Sequence, residues 1–222
     1  MPSPAETISP LPVRLDAHGA ILNGDLSIPG DARGLVVFAH GSGSSRHSRR
    51  NRAVADVLVH AKLATLLLDL LTREEEQTDA VTGELRFDIP LLADRVVAAI
   101  EWAQARPHTA PLPIGLFGAS TGAAAALIAA ARCPAARAVV SRGGRPDLAE
   151  AALDLVTVPT LLVVGGRDDV VIELNERAFA RLKEPKQLKI VPGATHLFEE
   201  PGALEQVSRL ATDWFVKYLA GR

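Results

Sequence analysis

From Gly34 onward the chain alternates short, continuous apolar runs with longer segments of helical character, and this alternation restricts its architecture more than any other feature. Strands apolar at every position, rather than at every second one, belong to a sheet covered on both faces. That describes a parallel sheet with helices as its crossovers. The predicted strands are Leu35 to Ala39, Ala64 to Leu68, Ile114 to Phe117, Ala138 to Val140, Thr160 to Val164 and Gln187 to Val191. The predicted helices are Arg49 to Lys62, Ile89 to Arg106, Thr121 to Arg132, Leu148 to Leu155, Glu173 to Leu182 and Ala203 to Leu219. Ahead of them, Val13 to Asp16 and Ile21 to Ile28 have β character and flank His18-Gly19, which reads as an antiparallel hairpin closed off at Pro29-Gly30. Met1 to Pro12 holds Pro2, Pro4, Pro10 and Pro12, a density that blocks helix and ladder pairing, so residues 1–12 are predicted as a flexible tail and 13–222 as the domain. With 222 residues, 48% of them hydrophobic, the chain suits one doubly wound α/β domain with a large core. Asp69 to Asp88 shows no sustained periodicity and reads as a long loop, either a lid or a solvated acidic crossover.

Composition removes several functional classes. The net charge of -2 offers no global field for nucleic acid or an anionic membrane, and 4% aromatic residues leave little surface for stacking bases. One cysteine, Cys133, excludes an internal disulfide framework and a multi-cysteine metal site, and it fits a cytoplasmic location. The longest apolar run, Ala123 to Ala131, is too short to span a bilayer, and no basic segment leads into an apolar stretch at the amino terminus. A soluble protein with a small-molecule substrate is the expectation. The oligomeric state is not specified.

Gly118-Ala119-Ser120-Thr121-Gly122 lies between an apolar run and an Ala-rich helix, so it reads as strand, sharp turn, helix. Such a turn strains the serine backbone and lifts its hydroxyl above the sheet, with glycines where a Cβ would collide. A serine hydroxyl needs a base within hydrogen-bond reach, usually histidine, and the histidine needs an acceptor to fix its tautomer. Of six histidines, His196 is the best base, on the loop between the last strand and the terminal helix. His18, His60 and His108 lie in turns or exposed helix positions, and His40 shapes its own loop. Asp168 follows Gly165-Gly166-Arg167 directly off a strand and is the chosen acid, with Asp169 in reserve and Asp69 third. All these positions fall at carboxyl ends of strands, where open α/β sheets gather their ligands.

The order Ser120, Asp168, His196 is that of the α/β-hydrolase triad. With the hairpin, the His40-Gly41-Ser42-Gly43 loop, the Gly-Gly-Arg-Asp turn and the Ala-Thr-His loop, the chain from about Gly34 to its end resembles an α/β hydrolase of the dienelactone-hydrolase-like group. The departure is serine at the elbow, where enzymes close to true dienelactone hydrolase carry cysteine, and this favours general esterase chemistry. The resemblance implies a single α/β-hydrolase domain and an oxyanion hole of two backbone amides, from Thr121 and from Ser42. It implies hydrolysis of small carboxylic esters through an acyl-enzyme, with no metal or organic cofactor; lactones and thioesters suit the same machinery.

Two arginine groups lie beside these loops. Arg46-His47-Ser48-Arg49-Arg50-Asn51-Arg52 opens a helix, where cations oppose the helix dipole, and Arg142-Gly143-Gly144-Arg145 follows the strand ending at Val140. Either Arg46 and Arg142 bind an acidic group of the substrate, or the arginines pair with Glu74 to Glu76. Two other classes are weighed. A dinucleotide turn at Gly41-Ser42-Gly43 has Arg46 in place of its third glycine and no acid about twenty residues on. A non-catalytic binding module typically loses a triad member, and all three positions are filled here.

Overall fold

The structure, a computed structural model, describes residues 8–220. Of the predicted tail, residues 1–7 lie outside the described residues, while Leu11 and Pro12 open the first strand, β1 (Leu11–Ala17). The remaining strands are β2 (Ala20–Ser27), β3 (Leu35–Ala39), β4 (Ala64–Leu68), β5 (Ile114–Ala119), β6 (Ala136–Arg142), β7 (Thr160–Gly165) and β8 (Lys186–Val191). The helices are α1 (Arg49–His60), α2 (Arg73–Thr82), α3 (Ile89–Gln104), α4 (Thr121–Arg132), α5 (Asp169–Arg181) and α6 (Ala203–Leu219). All eight strands form one sheet in the order β1-β2-β4-β3-β5-β6-β7-β8. β1 pairs antiparallel with β2, and β2 with β4; every other pairing is parallel. The hairpin turns on His18 and Gly19, at φ 55° and 96°, and Asp16 Oδ1 accepts the Gly19 N–H at 2.6 Å. Two left-handed residues make a turn whose twist matches the strands it joins.

Alternation along the strands sorts the core into two layers. In β3, Val36 and Phe38 face α1 and α6, against Val54, Leu58, Trp214 and Phe215, while Leu35, Val37 and Ala39 face α3 and α4. α4 is buried along its first ten residues, and its alanines let it lie close to the sheet beneath α3. From β3 the chain moves outward to β4 and returns across to β5 on the other side. Strand order therefore reverses between β3 and β5, and the crevice at such a switch point is where α/β sheets bind ligands. No helix among the described residues is long and apolar enough to cross a membrane.

Three local expectations need correction. The stretch after Asp69 is not a long loop, because Thr72 starts α2 with a capping box: its Oγ1 accepts the Glu75 N–H at 3.2 Å, and Glu75 Oε2 accepts the Thr72 N–H at 2.7 Å. Gly83, at φ 68°, ends the helix. Residues 146–155 form 3₁₀ turns rather than an α-helix, since Pro146 opens the stretch and Glu150 at φ 46° breaks it. β6 runs two residues past Val140, so Arg142 is the last residue of the strand, paired with Ala119 of β5.

α2 buries only Asp79, so local bonds and a few ion pairs hold it in place. Replacing Thr72 with Ala should weaken α2 by about 1 kcal/mol, the usual value of a helix N-cap. Hydrogen exchange of amides 73–82 is then expected to quicken about fivefold with little change in thermal midpoint. A large drop in midpoint with no local change would contradict this picture of α2.

Candidate active site

The turn after β5 is sterically tight. Ser120 sits at φ 51°, ψ −123°, a conformation costly for any residue with a Cβ. A Cβ on Gly118 would lie 2.4 Å from the Ala123 Cα, and one on Gly122 would lie 2.3 Å from the Ala39 carbonyl oxygen. Both glycines are therefore required for α4 to start where it does. The Ser120 N–H donates to the Arg142 carbonyl at 3.2 Å, and the Ser120 carbonyl accepts the Arg145 N–H at 3.0 Å. A Cβ on Gly41 would fall 2.9 Å from the Ser120 Cβ, so the loop after β3 lies directly against the serine. Thr121 is the first residue of α4, and its N–H is one of those a helix cannot use internally.

His196 and Asp168 are brought together from the loops after β8 and β7. The imidazole Nδ1–H donates to Asp168 Oδ2 at 2.6 Å, which leaves Nε2 as the acceptor. Glycines allow the two loops to touch, because a Cβ on Gly165 would meet the Ala194 carbonyl at 2.5 Å. Arg167 N–H bonds the same carbonyl at 2.9 Å. Glu200 accepts the Thr195 N–H at 3.1 Å and so pins the residue before His196; hydrogen bonding from Thr195 holds the Glu200 carboxyl below its ordinary range. Gly143, immediately after β6 and at φ 50°, lies against this loop: a Cβ there would be 3.1 Å from the His196 carbonyl oxygen. Asp169, the reserve acid, is instead the first residue of α5, four residues ahead of the predicted helix start. Asp69 accepts the Arg46 N–H at 2.8 Å and pairs with the Arg46 guanidinium.

The loop bearing Ser42 is held by His40. Its Nδ1–H donates to the Gly41 carbonyl at 2.9 Å, and its Nε2 accepts the Leu70 N–H at 3.1 Å. Burial pulls the His40 pKa below its ordinary value, so the ring stays neutral and keeps this one tautomer. Beyond the loop lies a cavity of about 490 Å³, lined by Ser42, Gly43, Leu71, Glu76, Arg86 and Leu92 among others. α2 and the 3₁₀ turn at Leu85–Phe87 form its outer wall.

Neither predicted substrate-binding arginine lines that cavity. Arg46 is engaged by Asp69 and by Asp25, at 3.5 Å from Asp25 Oδ1. Arg142 is buried under α1, with Nη2 3.3 Å from Asn51 Oδ1; burial and the nearby Arg50 lower its pKa to about 10. The alternative pairing with Glu74 to Glu76 is not what Arg46 adopts either, and Glu75 bonds Arg95 at 2.8 Å. The arginine that does reach the cavity, Arg86, is absent from the sequence reading. Its Nε bonds Asp79 Oδ2 at 2.6 Å and its Nη2 the Asp79 carbonyl at 2.8 Å, while Nη1 faces Gly43. Among the described residues, no group of three or more His, Cys, Asp or Glu side chains is arranged to hold a metal ion.

Comparison with known proteins places this geometry. The sequence profile of the Dienelactone hydrolase family matches residues 22–218. A Mycobacterium tuberculosis protein named as a phosphoribosyl transferase, found in two strains, is 61% identical over 199 residues, covering 89% of this chain and 44% of that protein. The chain thus spans less than half the length of that curated relative. Among solved structures, dienelactone hydrolase from Anabaena variabilis superposes with a TM-score of 0.95 at 56% identity, over 96% of this chain and 100% of that one. Est1E from Butyrivibrio proteoclasticus shares the fold at a TM-score of 0.78 and 19% identity, over 93% and 98% of the two chains. The strained serine turn, the aspartate–histidine pair and these matches lead to one assignment: the chain belongs to the dienelactone hydrolase family.

Proposed function

We propose that the chain is a serine hydrolase that cleaves small carboxylic esters in the cytoplasm, with Ser120 as nucleophile, His196 as base and Asp168 as the acid that orients it. The observation that carries this reading is the 2.6 Å hydrogen bond from His196 Nδ1 to Asp168, because it leaves Nε2 free to take a proton. His196 removes the Ser120 proton as the oxygen attacks the ester carbonyl. The N–H groups of Ser42 and Thr121 stabilise the tetrahedral oxyanion, and the alcohol leaves with the proton from His196. Water, activated by the same imidazole, then frees the acid and restores Ser120. Lactones and thioesters can follow the same course, since the triad sets the reaction and the pocket sets the substrate. The phosphoribosyl transferase name of the mycobacterial relative is not carried over, because the match covers 44% of that protein.

Where the substrate carries an acidic group, Arg86 receives it in place of Arg46 and Arg142. Arg86 lines the cavity with Nη1 turned toward Gly43 while Nε and Nη2 bond Asp79, and neither of the other two guanidiniums lines it.

Hydrolysis of p-nitrophenyl acetate by wild type, Ser120→Ala and Asp168→Asn tests the chemistry, together with intact mass after a serine-directed phosphonate. Ser120→Ala should lose at least about 10³-fold in kcat and take up no adduct, and Asp168→Asn should lose about 10²- to 10⁴-fold. A folded wild type that neither hydrolyses nor forms an adduct would favour a binding module on the same fold. For the acidic group, Arg86→Lys should lose about tenfold more kcat/KM on a hemisuccinate ester than on a neutral ester of equal size, because one ammonium cannot hold Asp79 and reach toward Gly43 together. Equal losses on the two esters would remove Arg86 from substrate recognition.

A further inference from the structure

Peptide planarity ties the Ser42 N–H to a group that the structure holds in place. In a trans peptide the carbonyl of one residue and the N–H of the next point in opposite directions. The Gly41 carbonyl accepts two hydrogen bonds, from His40 Nδ1–H at 2.9 Å and from the Ser44 N–H at 3.2 Å. With that oxygen held, the Gly41–Ser42 peptide cannot turn, and the Ser42 N–H faces away from His40. Gly41 itself abuts Ser120, and Ser42 lines the cavity beside it.

The imidazole can do this only if it is itself anchored. Its second nitrogen accepts the Leu70 N–H at 3.1 Å, from the segment just after β4. The far end of the same loop is tied to the neighbouring residue, since Asp69 accepts the Arg46 N–H at 2.8 Å. The turn at Asp69-Leu70 therefore grips the loop at both ends, through His40 and through Arg46. Arg46 works here as a brace, which accounts for its paired charge.

Resting on the ester-hydrolase reading above, we propose that His40 is a positioning residue that aims the Ser42 N–H at the developing oxyanion by fixing the Gly41–Ser42 peptide. It borders the cavity, but both ring nitrogens are committed to backbone groups, so it acts through the peptide. Its effect falls on transition-state stabilisation, so it governs kcat with little influence on KM.

Two nearly isosteric replacements separate the two bonds of the ring. The Asn amide NH₂ in His40→Asn stands where Nδ1 was and keeps the bond to the Gly41 carbonyl. The Gln amide in His40→Gln reaches the Nε2 position and keeps the bond to Leu70. With p-nitrophenyl acetate, His40→Gln is expected to lose about 10- to 100-fold in kcat at a KM within threefold of wild type. This sits at or below the loss seen when an oxyanion donor is removed outright. His40→Asn should recover at least tenfold of that loss, and thermal midpoints of the two variants should be alike. His40→Gln matching or exceeding His40→Asn in kcat overturns the proposal, as does a loss confined to KM. Ser120→Ala measured alongside keeps the two readings apart. If it hydrolyses as fast as wild type, the esterase reading falls and takes this inference with it; Ser120-dependent hydrolysis without the Asn–Gln difference removes the inference alone.

Discussion

The arrangement depends on one steric constraint, the contact of Gly122 with the end of β3. A methyl group at Gly122 would lie 2.3 Å from the Ala39 carbonyl, well inside any real contact, so α4 can begin where it does only with glycine there. That approach brings the start of α4, the turn carrying Ser120 and the loop after β3 into one small volume at the sheet's switch point. The alanines of α4 extend the same requirement along the helix, since bulkier side chains would push it off the sheet. The strain at Ser120 is outweighed by packing around it, where the Arg142 carbonyl and the Arg145 N–H hold both sides of its backbone.

Around this rigid centre the loops are oriented by polar bonds between segments distant in sequence. His196 is set by Asp168 and, one residue earlier, by Glu200. The loop bearing Ser42 is set by His40 and Asp69. Such bonds add little net stability each, but leaving a buried partner unpaired costs more, so every one of them selects a geometry. Arg142 is the exception that needs a reason. Its guanidinium is buried, and among the described residues Asn51 is its one hydrogen-bond partner, with none for Nε and Nη1. Removing it would leave the Asn51 amide without that bond and open space under α1, so it ties α1 to the strand beside Ser120.

The sheet and the meeting of Asp168 with His196 were largely legible in the chain, and the periphery was not. Strands apolar at every position can serve only in a sheet covered on both faces, so β3 and β4 match their predicted limits residue for residue. Ser120, Asp168 and His196 could be chosen because each stands where an apolar run gives way to glycine or polar residues. α2 escaped because it buries only Asp79 and has no apolar face to show a helical period; the Thr72-x-x-Glu75 capping box was its one signal. The partners of the arginines were hidden for a different reason. Arg46 meets Asp69 and Asp25, and Arg142 meets Asn51, contacts that only the folded sheet creates. Arg86 gave no sequence signal beyond its place in a stretch read as a loop.

Stability and specificity are consequently divided between two parts of the molecule. The residues assigned to chemistry stand on the ends of β3, β5, β7 and β8, inside an apolar core that would have to be rebuilt to move them. The cavity wall consists of α2 and the short turn after it, tied to each other by Asp79 with Arg86 and joined to the rest by Glu75 with Arg95. Arg95 belongs to α3 and bonds the Ala17 carbonyl at 2.8 Å, so the wall is joined to α3 and, through it, to the antiparallel hairpin. Changes in α2 can therefore alter what the cavity accepts without disturbing the turn at Ser120. The same division separates what can vary from what cannot: the cavity wall is held by a few exchangeable ion pairs, and Ser120 is held by glycines that nothing else can replace.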